Sequence, residues 1–254
     1  MKISIITVTY NCASVVEKCL ASIAEQSYTD VEHIVVDGAS RDGTLDILNI
    51  HRSHFAVLLS EPDTGIYDAM NKGLALASGD IVGFLNADDF YAHDRTLESI
   101  VQCFTDDDLL DACYSDLIYV DKSDISQIVR YWQSNSFVAS SFSRGWCPPH
   151  PTFFVRRSVY ERFGGFDLTY RIAADIELMM RFLEVKKINV KYTPEVWVTM
   201  RTGGASNKNW LNICVQNQEV LRALKRHGLS ANPLHFFISK IWSRGLQFLR
   251  RPTV

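Results

Sequence analysis

Residues 3–8, 31–36, 56–59 and 81–85 form four short runs dominated by Ile, Val and Leu, and the segments between them carry helical periodicity. Strands apolar along most of their length are covered on both faces, the pattern of a parallel sheet between helices. After the first run Val15, Val16, Cys19, Leu20 and Ile23 repeat at helical spacing. Asp42-Gly43-Thr44 opens a second helical stretch. Pro62, Asp63 and Gly65 turn into a third, IYDAMNKGLALA, which Gly79 stops. The order βαβαβαβ predicts an α/β fold with a mostly parallel, Rossmann-like sheet flanked by helices.

The rhythm breaks after residue 106. Strands are predicted over 114–120 and 127–132, a helix over 174–185, a strand over 196–201 and a long helix over 209–227. With 254 residues the chain divides into an N-terminal half, 1–106, a more irregular half of the same domain, 107–206, and a helical basic appendage, 207–254. The net charge of −3 gives no reason to expect nucleic acid as a partner. The charge is uneven, however. Residues 220–254 hold seven Lys and Arg and no acid, and subtracting that +7 from the net −3 leaves −10 on the rest. Six cysteines (Cys12, Cys19, Cys103, Cys113, Cys147, Cys214) show no CxxC pair and read as buried thiols of a reducing compartment. The first apolar run is too short for a signal peptide, and no stretch approaches the roughly 18 apolar residues of a membrane span. A cytoplasmic body is therefore expected.

In a doubly wound sheet ligands collect at the carboxyl ends of the strands. Asp37 ends the second run; Asn86, Asp88 and Asp89 follow the fourth. Adjacent carboxylates at a buried strand end repel, so a proton or a cation stabilises one of them, and a hard divalent ion takes carboxylate and phosphate oxygens together. The bland alternative has Asp88 and Asp89 starting a loop and capping the helix near Arg95. In VVDGASRDGT, Gly38 permits a tight turn and Ser40 or Asp42 can cap the next helix, which leaves Asp37 unexplained.

SIITVTYN, VVDGASRDGT, NKGLALASGDIVGFLNADD and AADIELMMR, in this order, resemble family-two inverting glycosyltransferases of the GT-A fold across residues 3–205. EPDTGIYDAMNKG is similar to bacterial enzymes that build surface polysaccharides or O-antigens. The resemblance implies a nucleotide-diphospho-sugar donor, a UDP-sugar, held by the N-terminal half. Val8 and Tyr10 would line the base pocket, and Asp37 would contact the base. Asn71 matches a donor-site position, and Asn86 would offer an amide to a ribose hydroxyl. Asp88 would bind Mn²⁺ or Mg²⁺, with Asp89 beside it. Asp175 matches the general base that deprotonates the acceptor hydroxyl, against the alternative of an acidic residue favoured by a helix N-terminus. His150, in a rigid Pro-flanked loop, would touch acceptor or diphosphate, or be structural. Gly203 and Gly204 would close over phosphates, or form a simple turn.

The chain departs from the family pattern at Gly38 and Asn86, where Asp is usual, at Met70, where Arg is frequent, and at Ala174, where an acid is usual. These changes leave the donor open and sustain a rival reading as a catalytically silent sugar-nucleotide or lipid-binding subunit. A nucleotidyltransferase is a further rival, but VTYNCAS lacks a glycine- and basic-rich phosphate loop. The QxxRW motif of processive relatives is absent, which favours one sugar per binding event. In residues 233–251, Leu234, Ile238, Ile241, Trp242 and Leu249 share one helical side, and Lys240, Arg244, Gln247 and Arg251 the other. That pattern predicts either a helix lying on the cytoplasmic membrane with its cations toward anionic lipid, or a packed helix with its basic face solvated. The first alternative suits a polyprenyl-diphosphate-linked glycan acceptor. The oligomeric state has no sequence signature.

Overall fold

A computed structural model describes residues 1–203 and 210–249. Strands β1 (Ile3–Thr9), β2 (Val31–Asp37), β3 (Val57–Ser60) and β4 (Ile81–Phe84) run parallel in the order β3-β2-β1-β4. Helices α1 (Val16–Ala24), α2 (Thr44–Ile50) and α3 (Ile66–Leu76) connect them, and α4 (Thr96–Asp106) follows β4. Side chains alternate along β1. Ile3 and Ile5 enter one core with Ile23, Leu97 and Ile100, while Ile6 and Val8 enter the other with Tyr67 and Met70. All seven residues of β1 are buried, as a sheet covered on both faces requires. Helix α3 lies so close to β1 that a Cβ on Gly73 would sit 2.4 Å from Ile6 Cγ2. Register pairs Thr9 with Asp37 and Asp37 with Ser60, which aligns the carboxyl ends of three strands on one edge.

The second half extends the same sheet with mixed polarity. It contains β5 (Phe90–Tyr91), β6 (Ala112–Val120), β7 (Ile128–Trp132), β8 (Phe154–Arg156) and β9 (Val190–Arg201). The order continues β4-β8-β6-β9-β5, with β7 paired to β6. Only β6 and β9 pair in parallel here; β8 runs antiparallel to both β4 and β6. The parallel expectation thus describes the first half, and the second curls into a mixed sheet. β9 is twice as long as the predicted 196–201 because Pro194 masks it. Thr193 pairs with Ser115 and Val196 with Asp116, so Pro194 and Glu195 bulge out of the ladder. A bulge tolerates a residue without an N–H.

The remaining helices are α5 (Arg157–Phe163), α6 (Ala174–Met180), α7 (Trp210–Arg226) and α8 (Pro233–Leu249). The predicted helix over 174–185 changes to one π-helical turn at Arg181–Val185. There the Arg181 guanidinium binds Glu177 and the carbonyls of Phe163 and Gly165. Glu177 also meets His227 at 2.7 Å, so this buried acid is structural. Helix α8 packs against β7 and a 3-10 turn at Phe142–Arg144. Its orientation overturns the packed alternative and the outward placing of the cations: Phe236, Lys240, Arg244 and Gln247 face the protein, and Leu234, Ile238, Ile241 and Trp242 face outward. Among the described residues no helix is long and apolar enough to cross a membrane. The thiols are also less uniform than expected, with Cys19, Cys103 and Cys113 buried, Cys12 and Cys147 partly so, and Cys214 exposed.

Candidate active site

The carboxyl ends of β1, β2 and β4, the start of α6 and the inner face of α8 enclose one cleft of about 1820 Å³. Val8, Tyr10, Gly38, Asp63, Asn86, Asp88, His150 and Asp175 all line it. Gly203, at φ +96°, lies on its rim, while Gly204 is outside the described residues.

Asp88 follows β4 in a turn closed by the Asp89 N–H donating to the Asn86 carbonyl at 3.0 Å. Burial pushes the Asp88 carboxyl above its usual range, opposed in part by nearby Arg201. Burial and the adjacent Asp88 push Asp89 up much further. Asn86 Oδ1 and both Asp89 carboxylate oxygens are shielded from water and accept no well-formed hydrogen bond. Orphaned buried oxygens of this kind are costly unless a cation or a proton meets them. Among the described residues no three His, Cys, Asp or Glu cluster as a metal site. A hard ion at Asp88 would therefore complete its shell with donor phosphate oxygens, the habit of Mg²⁺ and Mn²⁺ sites, and the Asn86–Asp88 turn fits that role.

Asp175 occupies the first turn of α6, half-buried. The Tyr67 hydroxyl lies 2.9 Å from Asp175 Oδ1 and 2.8 Å from the Ile172 carbonyl, and shares its one proton between them. Burial, and next the Asp175 charge, raise the Tyr67 pKa well above normal, so it stays a donor. Helix α6 has no cap from its own N-terminal residue. Glu219 of α7 instead holds the turn that leads into it, accepting from the N–H groups of Arg171, Ile172 and Ala173 at 2.8, 2.9 and 3.0 Å. His150 stacks on Phe84 with ring centroids 6.1 Å apart and leaves both ring nitrogens without a partner. Burial lowers its pKa, which keeps the ring neutral and free to donate or accept one hydrogen bond.

The family profile "Glycosyl transferase family 2" matches residues 4–181. The chain belongs to glycosyltransferase family 2. A Mycobacterium tuberculosis relative, named a PGL/p-HBAD biosynthesis glycosyltransferase, is 34% identical over 208 residues, covering 80% of this chain and 78% of the relative. An uncharacterized glycosyltransferase of the same organism is 32% identical over 181 residues, 70% of this chain and 68% of its own. Among solved structures, Staphylococcus aureus TarS 1–349 in complex with UDP-GlcNAc superimposes with a TM-score of 0.65 at 18% identity, over 94% of this chain and 70% of TarS. The Pyrobaculum calidifontis mannosyltransferase PcManGT, in complex with GDP-Man and Mn²⁺, also gives 0.65, at 22% identity, over 95% of this chain and 69% of its own. This glycosyltransferase therefore has the GT-A fold.

Three expected donor-site residues in this family 2 glycosyltransferase do not line the cleft. Asp37 is fully buried, and its carboxylate accepts from Thr9 Oγ1 at 2.9 Å, Ser40 N at 3.0 Å, Ser40 Oγ at 2.5 Å and Ser60 Oγ at 2.8 Å. A carboxylate has about four acceptor sites, so Asp37 ties three strand ends together and has nothing to spare for a base. Asn71 faces the other side of α3, where its amide clamps Phe166, donating to its carbonyl and accepting from its N–H, each at 2.9 Å. Asp89 lies behind Asp88, outside the lining. Conversely, three lining residues stand outside the expected site residues. Asp63 is one: a Cβ on Gly38 would meet its Oδ2 at 2.4 Å, so Asp63 fills the space of the missing family carboxylate. Arg201 and Lys240 are the others.

Proposed function

We propose that this glycosyltransferase moves one sugar, with inversion, from a UDP-sugar to a hydroxyl of a lipid-linked glycan in bacterial surface polysaccharide or O-antigen assembly. The carrying observation is that Asp88 and Asp175 line one cleft, with Asp175 fixed by Tyr67 through Oδ1. The uracil would rest against Val8 and Tyr10, and Asp63 takes the contact first expected of Asp37. When bound at Asp88, Mn²⁺ or Mg²⁺ offsets negative charge on the departing diphosphate. Asp175 takes the proton of the acceptor hydroxyl as that oxygen attacks the anomeric carbon opposite the leaving group. A single displacement inverts the anomeric centre. Neutral His150 orients the acceptor or the diphosphate, and Gly203, which lines the cleft, covers it. The nucleotide sugars bound to TarS and PcManGT support this donor class, and Mn²⁺ in the latter supports the metal. The exposed apolar side of α8 supports a peripheral position on the inner face of the membrane.

Diphosphate release and product configuration test the reading. With Mn²⁺, a UDP-sugar panel and polyprenyl-linked acceptors, wild type is expected to release UDP and give an anomer of inverted configuration by NMR. Asp175→Asn is expected to lower kcat by about 10²–10⁴-fold with UDP binding unchanged. A retained configuration, or full turnover by Asp175→Asn, contradicts it.

A further inference from the structure

Helix α8 is amphipathic in the sense opposite to an ordinary surface helix, with its polar stripe toward the cleft and its apolar stripe outward. Leu234, Ile238, Ile241, Trp242 and Phe248 are exposed by 69%, 57%, 73%, 72% and 57%. They recur at helical spacing on one side of a continuous helix. An apolar stripe of this size on a protein surface marks a docking face rather than an ordinary solvated one. Trp242 and Phe248 also line the cleft, so the stripe runs into its mouth.

The inner side carries the complementary chemistry. Lys240 and Arg244, one helical turn apart, both line the cleft. Lys240 Nζ donates to the Asn217 amide oxygen at 2.6 Å. Burial, and next Arg244, lower its pKa to about 8. Arg130 of β7 reaches the same region and pairs with the Gln247 amide oxygen rather than a carboxylate. Among the described residues none of these three cations forms an ion pair with Asp or Glu. Like charges one turn apart destabilise a helix, and the more so in a partly buried setting. An anion reverses that cost. Of the three carboxylates that line the cleft, Asp63, Asp88 and Asp175, only Asp175 lies close enough for its charge to act on Lys240, so we place the cationic wall on the acceptor side.

We propose that α8 seats the cleft on a lipid surface, and that Lys240 and Arg244 on its inner side take the phosphate of a lipid-borne acceptor. The outer stripe enters the headgroup boundary, and the lipid phosphate passes the Trp242–Phe248 rim to reach the cations. The cations thus recognise one lipid inside the cleft instead of holding anionic headgroups from outside. This inference rests on the acceptor-side role of Asp175 given above.

Flotation of the full chain tests it, with vesicles of phosphatidylcholine alone, with phosphatidylglycerol, and with a polyprenyl phosphate at equal charge. Wild type is expected to float with all three and to prefer the polyprenyl phosphate by about tenfold, the weight of one charge-assisted hydrogen bond. Ile238→Glu/Ile241→Glu is expected to lose flotation on every vesicle while keeping its nucleotide-induced thermal shift. Lys240→Ser/Arg244→Ser is expected to float on phosphatidylcholine without the preference. The proposal is overturned if wild type floats with none, or if the inner pair leaves the preference intact. It also fails if light scattering finds a dimer that the outer pair dissolves, because the stripe then joins two copies of the chain. Loss of the nucleotide shift in wild type is a separate result that strikes the donor site alone.

Discussion

Replacing Glu219 with Ala releases the turn that leads into the helix carrying Asp175. Three backbone N–H groups lose a charged acceptor, at 2.8, 2.9 and 3.0 Å. Arg171 is exposed and regains water, whereas Ile172 is half-buried and Ala173 is 1% exposed. A buried donor left without a partner costs about 1–3 kcal/mol, and with half-buried Ile172 at about 1 kcal/mol the two groups together amount to about 2–4 kcal/mol of stability. The catalytic effect is larger in proportion. Ile172 and Ala173 lie three and two residues before Asp175, and Tyr67 reaches both the Ile172 carbonyl and the Asp175 carboxylate. A shift of about 1 Å in that turn is expected to lower kcat by on the order of 10²-fold. Binding of UDP at the proposed donor residues Val8, Tyr10 and Asp63 is expected to hold. Glu219→Gln keeps an acceptor oxygen and loses the charge at the helix N-terminus, about 0.3–1 kcal/mol, so most of the rate should return. Steady-state kinetics with urea unfolding of both variants decides. Wild-type kcat in Glu219→Ala, or equal rate losses in both variants, refutes Glu219 as a positioning residue.

Two further predictions address the ends of the cleft. Gly38→Ala drives a Cβ against Asp63 Oδ2, whose partner oxygen accepts from Gly65 N at 2.9 Å, and is expected to cost about 1–2 kcal/mol. In urea unfolding Asp63→Ala should relieve that cost, and additive losses would contradict the contact. At the other end, Lys240 is charged below a pKa of about 8 and neutral above it. Its neighbours are Arg244 on α8, Arg130 on β7, Cys147 in the loop before Pro148, Asn217 on α7 and Asp175 on α6. Affinity for polyprenyl phosphate vesicles should fall as pH rises through that value and stay level in Lys240→Arg. Because this pKa is depressed from 10.5, the unfolded chain holds the proton longer, and stability without ligand should rise between about 8 and 10.5.

The parallel half of the fold was legible because its strands are buried on both faces and their composition says so. The second half was less so: β8 has only three residues, and Pro194 interrupts the pattern of β9 without ending the strand. Asp88 and Asp175 were legible as carboxylates in recognisable motifs. Their support was not, because Tyr67 and Glu219 reach Asp175 and the turn before its helix from 108 and from 46–48 residues away. Asp37 and Asn71 sit in motifs of the right form, yet their hydrogen bonds go to strand ends and to Phe166. Periodicity identified both faces of α8 and could not say which one turns inward. The answer depends on Arg130 and on the cleft, which are remote in sequence.

The measurement that bears most directly on a metal-assisted nucleotide-sugar site is thermal stability with UDP, GDP, dTDP and CDP, each with Mn²⁺ and with EDTA. Wild type should be stabilised by UDP with Mn²⁺ and not with EDTA, and Asp88→Ala should lose the shift while remaining folded. A folded wild type indifferent to every nucleotide, or an Asp88→Ala variant that responds like wild type, contradicts the account.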